Sequence, residues 1–91
     1  MPRYHFHIHY GVRHDDDEGI DLADDTAAER EAARLVAPLV RDDYQRLFHD
    51  GHCEVTVTDG RGLALFSMTV MVRNAAARPR GGLVLGVEQP T

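Results

Sequence analysis

The sequence predicts an α+β domain in which one central helix packs on one face of a small antiparallel sheet, in the order ββαββ. Three patterns support this fold class. Residues 3–10 alternate between large apolar side chains and mostly histidine, which is typical of a strand with two different faces. Residues 24–48 repeat apolar side chains every three or four positions, as a helix with one buried stripe does. Residues 53–72 contain two more alternating runs, joined by the hairpin signal Asp59-Gly60.

The first strand is predicted to have two chemically different faces. Its even-numbered residues from Tyr4 to Tyr10 are aromatic or aliphatic, and we expect them to contact the helix. The alternate positions are expected to face away from the helix, and they carry histidines: His5, His7 and His9. A polar, acidic turn then leads to a short second strand within residues 19–22.

The helix is predicted to begin at Asp24 or Asp25, because either carboxylate can cap the first turn and suits the positive end of the helix dipole. Pro38 removes a backbone donor in mid-helix, yet the apolar stripe keeps its phase across it. A straight helix over residues 24–48 would be about 37 Å long, whereas the strands span only about 25 Å. We therefore expect one helix kinked at Pro38, not two helices.

The third and fourth strands are predicted at residues 53–58 and 63–72. The side of the fourth strand that faces the core is predicted to carry these residues: Ala64, Phe66, Met68, Val70 and Val72. A single α+β domain is therefore expected over residues 1–73. Residues 74–91 contain Arg, Gly and Pro and are predicted to form a C-terminal tail, in which residues 83–87 are a candidate edge strand.

Composition and charge restrict the classes of function. The 91 residues suffice for one domain. The net charge is −5, and nine carboxylates but only one arginine lie between Asp15 and Glu31, whereas nucleic-acid-binding domains usually present a basic face. The apolar stretches are too short to cross a bilayer, and the first residues contain no apolar signal-peptide segment. We therefore predict a cytoplasmic protein that binds neither nucleic acid nor membrane.

Several short motifs, taken together, resemble a known family. They are the opening MPRYHFHIHYG, the acidic turn at residues 17–19, the helix start at residues 24–28 and the hairpin at residues 55–62. In this order and spacing they resemble a family of short bacterial proteins that begin Met-Pro-Arg-Tyr-x-Phe-His, the domain of unknown function 6894. The resemblance covers residues 1–72 and implies a fold, but no activity and no catalytic residue.

The histidines of the first strand are candidate metal ligands. Alternate residues of a strand lie on one face about 6.8 Å apart, so two neighbours can reach one ion. If the third strand lies beside the first, His52, Glu54 or His49 could complete the three or four ligands that zinc needs. The predicted set is His5, His7, His9 and His52. The resemblance weighs against a family-wide site, because it covers His7 but not the other two histidines of this strand. The interpretation that we favour is a polar face in water, so no cofactor is predicted, and zinc or another divalent transition metal is the alternative.

The sequence contains no recognisable catalytic motif. Cys53 is the only thiol, and it shares a strand side with Val55 and Val57, so we expect it to be buried. Its neighbour His52 would point to the opposite face, whereas a nucleophile needs its base within hydrogen-bonding reach. We therefore predict a protein that is not an enzyme.

The sheet face that the helix leaves open is the predicted interaction surface. A single helix covers only one face of a sheet, and leucines exposed beside histidines on the other face would form an adhesive patch. The residues predicted to form it are His5, His7, His9, Leu63 and Leu65. A symmetric homodimer is the commonest way to cover such a patch. The predicted function is thus a self-associating interaction module; the alternatives are a metal-binding protein and a regulatory, antitoxin-like partner of a basic protein.

Overall fold

In a computed structural model, which describes residues 1–74 and 83–85, a six-stranded antiparallel sheet carries two helices on one face. The predicted fold class is confirmed. The elements in chain order are β1 (Arg3–Tyr10), β2 (Val12–His14), β3 (Ile20–Asp21), α1 (Asp25–Asp42), α2 (Tyr44–Asp50), β4 (His52–Asp59), β5 (Ala64–Asn74) and β6 (Leu83–Leu85). None of the helices over these residues is long and apolar enough to cross a membrane.

The sheet has the strand order β2-β1-β4-β5-β6, and β3 pairs with the same edge of β1 as β2 does. Its register sets the apolar rows of the three long strands side by side: Phe6 lies opposite Val57, which lies opposite Phe66. The turn between β4 and β5 is closed by Asp59, whose Oδ1 accepts hydrogen bonds from the N–H groups of Arg61 and Leu63. This turn is the hairpin expected from the Asp-Gly signal.

The core lies between the helices and the sheet. The even-numbered residues of β1 that are fully buried (Tyr4, Phe6 and Tyr10) lie on its helix side, as the alternation predicts. α1 contributes three small or β-branched residues spaced four apart, Ala28, Ala32 and Val36. The remaining fully buried residues come from α2 and β4: Leu47, Cys53, Val55 and Val57.

Helix α1 begins as expected, and β1 is joined to its first turn. The side chain of Asp24 caps the helix by accepting a hydrogen bond from the N–H of Ala27 at 2.9 Å. The hydroxyl of Tyr4 donates to Oδ1 of Asp25 at 2.7 Å. This hydrogen bond, together with burial, raises the pKa of Tyr4 to about 12, so the phenol stays a donor throughout the neutral range.

The prediction of one helix kinked at Pro38 was wrong, because there are two helices and they meet at Asp43. α1 continues through Pro38, which lies on its exposed side, where water can solvate the carbonyl that the missing N–H leaves without a helix partner. At Asp43 the backbone leaves the helical region (φ −123°, ψ 35°). Its carbonyl accepts hydrogen bonds from the Tyr10 hydroxyl at 3.0 Å and from the N–H of Leu47.

Two further differences concern the strands. Val57 pairs with Phe66 but Thr58 pairs with Ala64, so there is a bulge at Leu65. The bulge puts Ala64 on the open face of the sheet, where it is exposed. The prediction that Ala64 faces the core was therefore wrong. The chain also forms β2 where the sequence indicated only a turn. In the predicted tail, β6 pairs with Val72–Asn74 of β5; the rest of that prediction, at residues 75–82 and 86–91, lies outside the described residues.

Candidate functional site

The first candidate surface is the open face of β1, where the acidic turn holds two of its histidines. The carbonyl of Asp16 can only accept, so Nδ1 of His5 donates to it at 2.9 Å. The N–H of Asp16 donates to Nδ1 of His7 at 3.2 Å, and Nε2 of His7 lies 3.1 Å from the Thr58 hydroxyl. The two imidazole rings are therefore held parallel, with centroids 6.2 Å apart, and both are half-buried.

Asp16 is the centre of this arrangement. Its Oδ1 accepts from the N–H groups of Glu18 and Gly19, which forms the turn, and its Oδ2 accepts from the N–H of Phe6 at 3.0 Å. Partial burial raises the pKa of this carboxyl, but the hydrogen bonds from Gly19, Phe6 and Glu18 outweigh it, and the pKa lies below its ordinary value. The sequence pattern does not distinguish Asp16, since four other acidic residues lie within the same turn and short strand.

The four histidines predicted as metal ligands fall into two separate pairs. His5 stacks on His7, whereas His9 meets His52 edge to face with ring centroids 6.0 Å apart. Over residues 1–74 and 83–85, no three His, Cys, Asp or Glu side chains are placed so that they could hold one metal ion. The predicted set is thus not brought together as one site, and metal binding stays a prediction.

A shallow depression of about 220 Å³ lies beside the His5–His7 pair. Its lining comes from the open face and the hairpin turn: His5, His7, Thr58, Asp59, Gly60 and Gly62. The Asp59 carboxylate is already used by the turn, and the hydrogen bonds from the N–H groups of Leu63 and Arg61 lower its pKa. His7 is likewise committed through both ring nitrogens, so the depression offers few groups that could act on a ligand.

Cys53 is fully buried on the helix side of β4. Burial raises the pKa of its thiol, against a smaller effect of the hydrogen bond with the Val70 backbone. A thiol is nucleophilic as its thiolate, so this position suits packing better than covalent catalysis. The sequence interpretation of Cys53 as an apolar core residue agrees with its position.

The acidic segment, residues 15–31, makes most of its contacts within the fold. Six of its nine carboxylates accept an internal hydrogen bond or form an ion pair: Asp15 with Arg13, Asp16 with three N–H groups, Asp21 with Arg3, Asp24 with Ala27, Asp25 with Tyr4 and Glu31 with Arg34. A basic partner would have to compete with these contacts. Association with a basic protein stays a prediction.

The second candidate surface lies along β5, and we call it the β5 margin: Leu63, Leu65, Phe66, Met68, Val70 and Met71. Leu63 is 62% exposed, Met71 49% and Leu65 36%. Phe66, Met68 and Val70 face the helix side but are only half-buried, whereas Val55 and Val57 in the same layer of β4 are fully buried. The helices therefore cover β4 completely and β5 incompletely.

The predicted interaction residues are divided between these two surfaces. Leu63 and Leu65 belong to the β5 margin, whereas His5, His7 and His9 lie on β1, and β4 runs between the two strands. The sequence pattern identified the exposed leucines. It missed the incomplete burial of Phe66, Met68 and Val70, because alternation predicts which way a side chain points but not whether a helix reaches it.

Comparison with known proteins gives one match. Neither the curated proteins nor the solved structures contain a protein that matches the chain. The model of one protein family, described as a domain of unknown function (DUF6894), matches residues 3–71, which is most of the chain. The matched segment runs from the start of β1 nearly to the end of β5 and so contains both candidate surfaces. The resemblance inferred from the sequence motifs is confirmed, and the chain belongs to the DUF6894 family.

Proposed function

We propose that this protein is a non-enzymatic interaction module that associates with a second copy of itself through the β5 margin. One observation carries the proposal: Phe66, Met68 and Val70 face the helix layer, yet the fold leaves them half-exposed. A contiguous exposed apolar surface is typical of interaction sites. The exposed Leu65 and Met71 extend the margin onto the other face of the sheet.

The histidine face is the weaker candidate for this contact. His5 and His7 are half-buried, and their hydrogen bonds with Asp16 and Thr58 already satisfy three of their four ring nitrogens. The centre of the open face is polar as well, since Thr56 on β4 lies beside Ser67 on β5 with their hydroxyls 3.1 Å apart. Apolar area is the main source of favourable free energy in most protein association, and it lies along β5.

The non-enzymatic part of the proposal is supported by how the reactive groups are used. The Cys53 thiol is enclosed in the core, and both nitrogens of His7 hold structural hydrogen bonds. A general base must reach the proton that it abstracts, and these groups are committed to the fold. The histidine pair His9 and His52 shares the open face with hydroxyl groups that are already hydrogen-bonded: Thr56 with Ser67, and Thr69 with Glu54.

Substitution of Leu65 by lysine tests the proposal. We expect the unmodified protein to sediment at twice the mass of one chain, and Leu65→Lys to raise the dimer dissociation constant about tenfold or more. Burying a leucine contributes about 1.5–3 kcal/mol, and tenfold in affinity corresponds to about 1.4 kcal/mol. Sedimentation equilibrium over a hundredfold concentration range measures both species.

Val12→Lys is the matched control, since Val12 is an exposed apolar residue (58%) on β2, at the opposite margin of the sheet. It should dimerise like the unmodified protein. A monomeric unmodified protein at the highest concentration, or equal weakening by the two substitutions, would contradict the proposal.

A further inference from the structure

We infer that the two copies join by antiparallel pairing of their β5 edges, in the register that sets Met68 opposite Met68. This inference rests on the proposed self-association and specifies its geometry. The two edges of the sheet differ in how they are protected. A free strand edge presents unpaired N–H and C=O groups to any other strand, and proteins usually block it.

The edge formed by β1 is blocked along its length. β2 pairs with Ile8–Tyr10, and β3 pairs with Arg3 and Tyr4. In the gap between them, the carboxylate of Asp16 accepts the hydrogen bond of the Phe6 N–H. No other strand can add here without displacing the acidic turn.

Within the part of the chain that the structure describes, the edge formed by β5 is open over most of its length. β6 pairs only with Val72–Asn74, and within residues 1–74 and 83–85 no strand pairs with the outer edge from Ala64 to Met71. These eight residues, ALFSMTVM, include no charged residue, no proline and no glycine. Charge and proline, two devices that normally keep an edge from pairing, are therefore absent from this stretch, and the bulge at Leu65 lies near its end.

The hydrogen-bonding direction of each residue restricts the register. The N–H of Val72 donates to the carbonyl of Gly51, which precedes β4. Because backbone groups alternate in direction along an antiparallel strand, the even-numbered residues from Phe66 to Val72 turn their N–H groups inward. Ser67, Thr69 and Met71 turn theirs outward. An antiparallel pair of β5 edges must therefore match odd-numbered residues with odd-numbered ones.

The side chains select one register among those allowed, and they identify the partner as a second copy. With Met68 on the two-fold axis, Leu65 lies opposite Met71 of the other copy, which pairs the two exposed apolar residues. The pairing ends at these two residues, because β6 holds the edge from Val72 onward. Phe66 then lies opposite Val70 of the other copy, so the half-buried apolar residues on the helix side of the two β5 strands form one continuous row across the interface. Ser67 lies opposite Thr69 of the other copy on the open face of the sheet. The uncharged strand matches itself without placing like charges opposite each other.

Disulfide cross-linking tests the register directly. At a non-hydrogen-bonded pair the Cα atoms lie about 4.5 Å apart, within the range of about 4.4–6.8 Å that a disulfide spans. We therefore expect Met68→Cys to form a covalent dimer on mild oxidation. Leu65→Cys alone should not, because two copies of residue 65 would be about 20 Å apart. A mixture of Leu65→Cys and Met71→Cys should give the mixed dimer. The unmodified protein is the blank, since its one thiol, Cys53, is fully buried.

The outcomes separate this register from self-association itself. Cross-linking of Met68→Cys and of the mixed pair, with none for Leu65→Cys alone, supports the inference. If the unmodified protein is dimeric but Met68→Cys fails to cross-link, or Leu65→Cys cross-links with itself, the pairing is wrong and the proposed function stands. If the unmodified protein is monomeric, both are wrong.

Discussion

Replacing Leu47 by alanine is expected to lower the free energy of unfolding by about 2–5 kcal/mol, the usual cost of truncating a fully buried leucine. Leu47 is 0% exposed and is the only buried residue of α2. Its side chain therefore anchors this helix beside β4 and β5, after the interruption at Asp43. Because a domain of this size is stable by only about 5–13 kcal/mol, the loss would be a large fraction of the total.

Urea denaturation monitored by circular dichroism measures this effect. Val12→Ala is the control, because truncating a side chain that is 58% exposed and lies outside the β5 margin should change stability by less than about 0.5 kcal/mol. Should Leu47→Ala prove too unstable to study, Leu47→Val is expected to lose about 1 kcal/mol. Equal midpoints for the Leu47 and Val12 variants would mean that α2 is not docked as described.

Replacing Asp16 by alanine is expected to cost about 1–3 kcal/mol, because a typical hydrogen bond contributes about 0.5–1.5 kcal/mol net and three partly buried or exposed N–H groups lose their acceptor. The donors are those of Phe6, Glu18 and Gly19. The outer edge of β1 would lose its protection at the same time. Asp17→Ala is the control: Asp17 is the next residue, it is exposed, and its side chain has no hydrogen-bond partner among residues 1–74.

The pH dependence of stability gives a second readout for Asp16. Its pKa in the folded protein lies below the ordinary value of 3.8, so the ionised carboxylate stabilises the fold above that value. This contribution is lost as the pH falls through the folded pKa. Asp16→Asn keeps an acceptor but cannot ionise, so its deficit relative to the unmodified protein should shrink below about pH 4. A deficit that is constant from pH 7 to pH 3 would contradict the assigned role of the carboxylate.

Local patterns predicted the features that depend on neighbouring residues. The alternation of β1 fixed which side Phe6 and His7 take, because side-chain direction in a strand has a period of two. The cap at Asp24 and the turn at Asp59-Gly60 were predicted for the same reason, since each forms its hydrogen bonds within four residues. These local features determine the fold class, and for this reason the fold class could be predicted correctly.

The features that the sequence did not reveal depend on distant parts of the chain. Asp16 accepts the hydrogen bond of the Phe6 N–H, ten residues away. This bond lies at the edge of β1, in the gap between the residues that pair with β2 and those that pair with β3. The helix break falls at Asp43, where the Tyr10 hydroxyl meets the chain, and not at Pro38, whose exposed position makes a missing donor tolerable. The incomplete cover of Met68 depends on where the helices lie across the sheet.

Amide hydrogen exchange of β5 tests the central claim, that a second copy covers this strand. Ser67, Thr69 and Met71 turn their N–H groups to the outer edge, so their protection should increase with protein concentration as dimers form. The Phe6 N–H, which is bonded to Asp16 within one chain, should be equally protected at every concentration. Fast exchange of all three β5 amides that does not change over a hundredfold range of concentration would contradict the account.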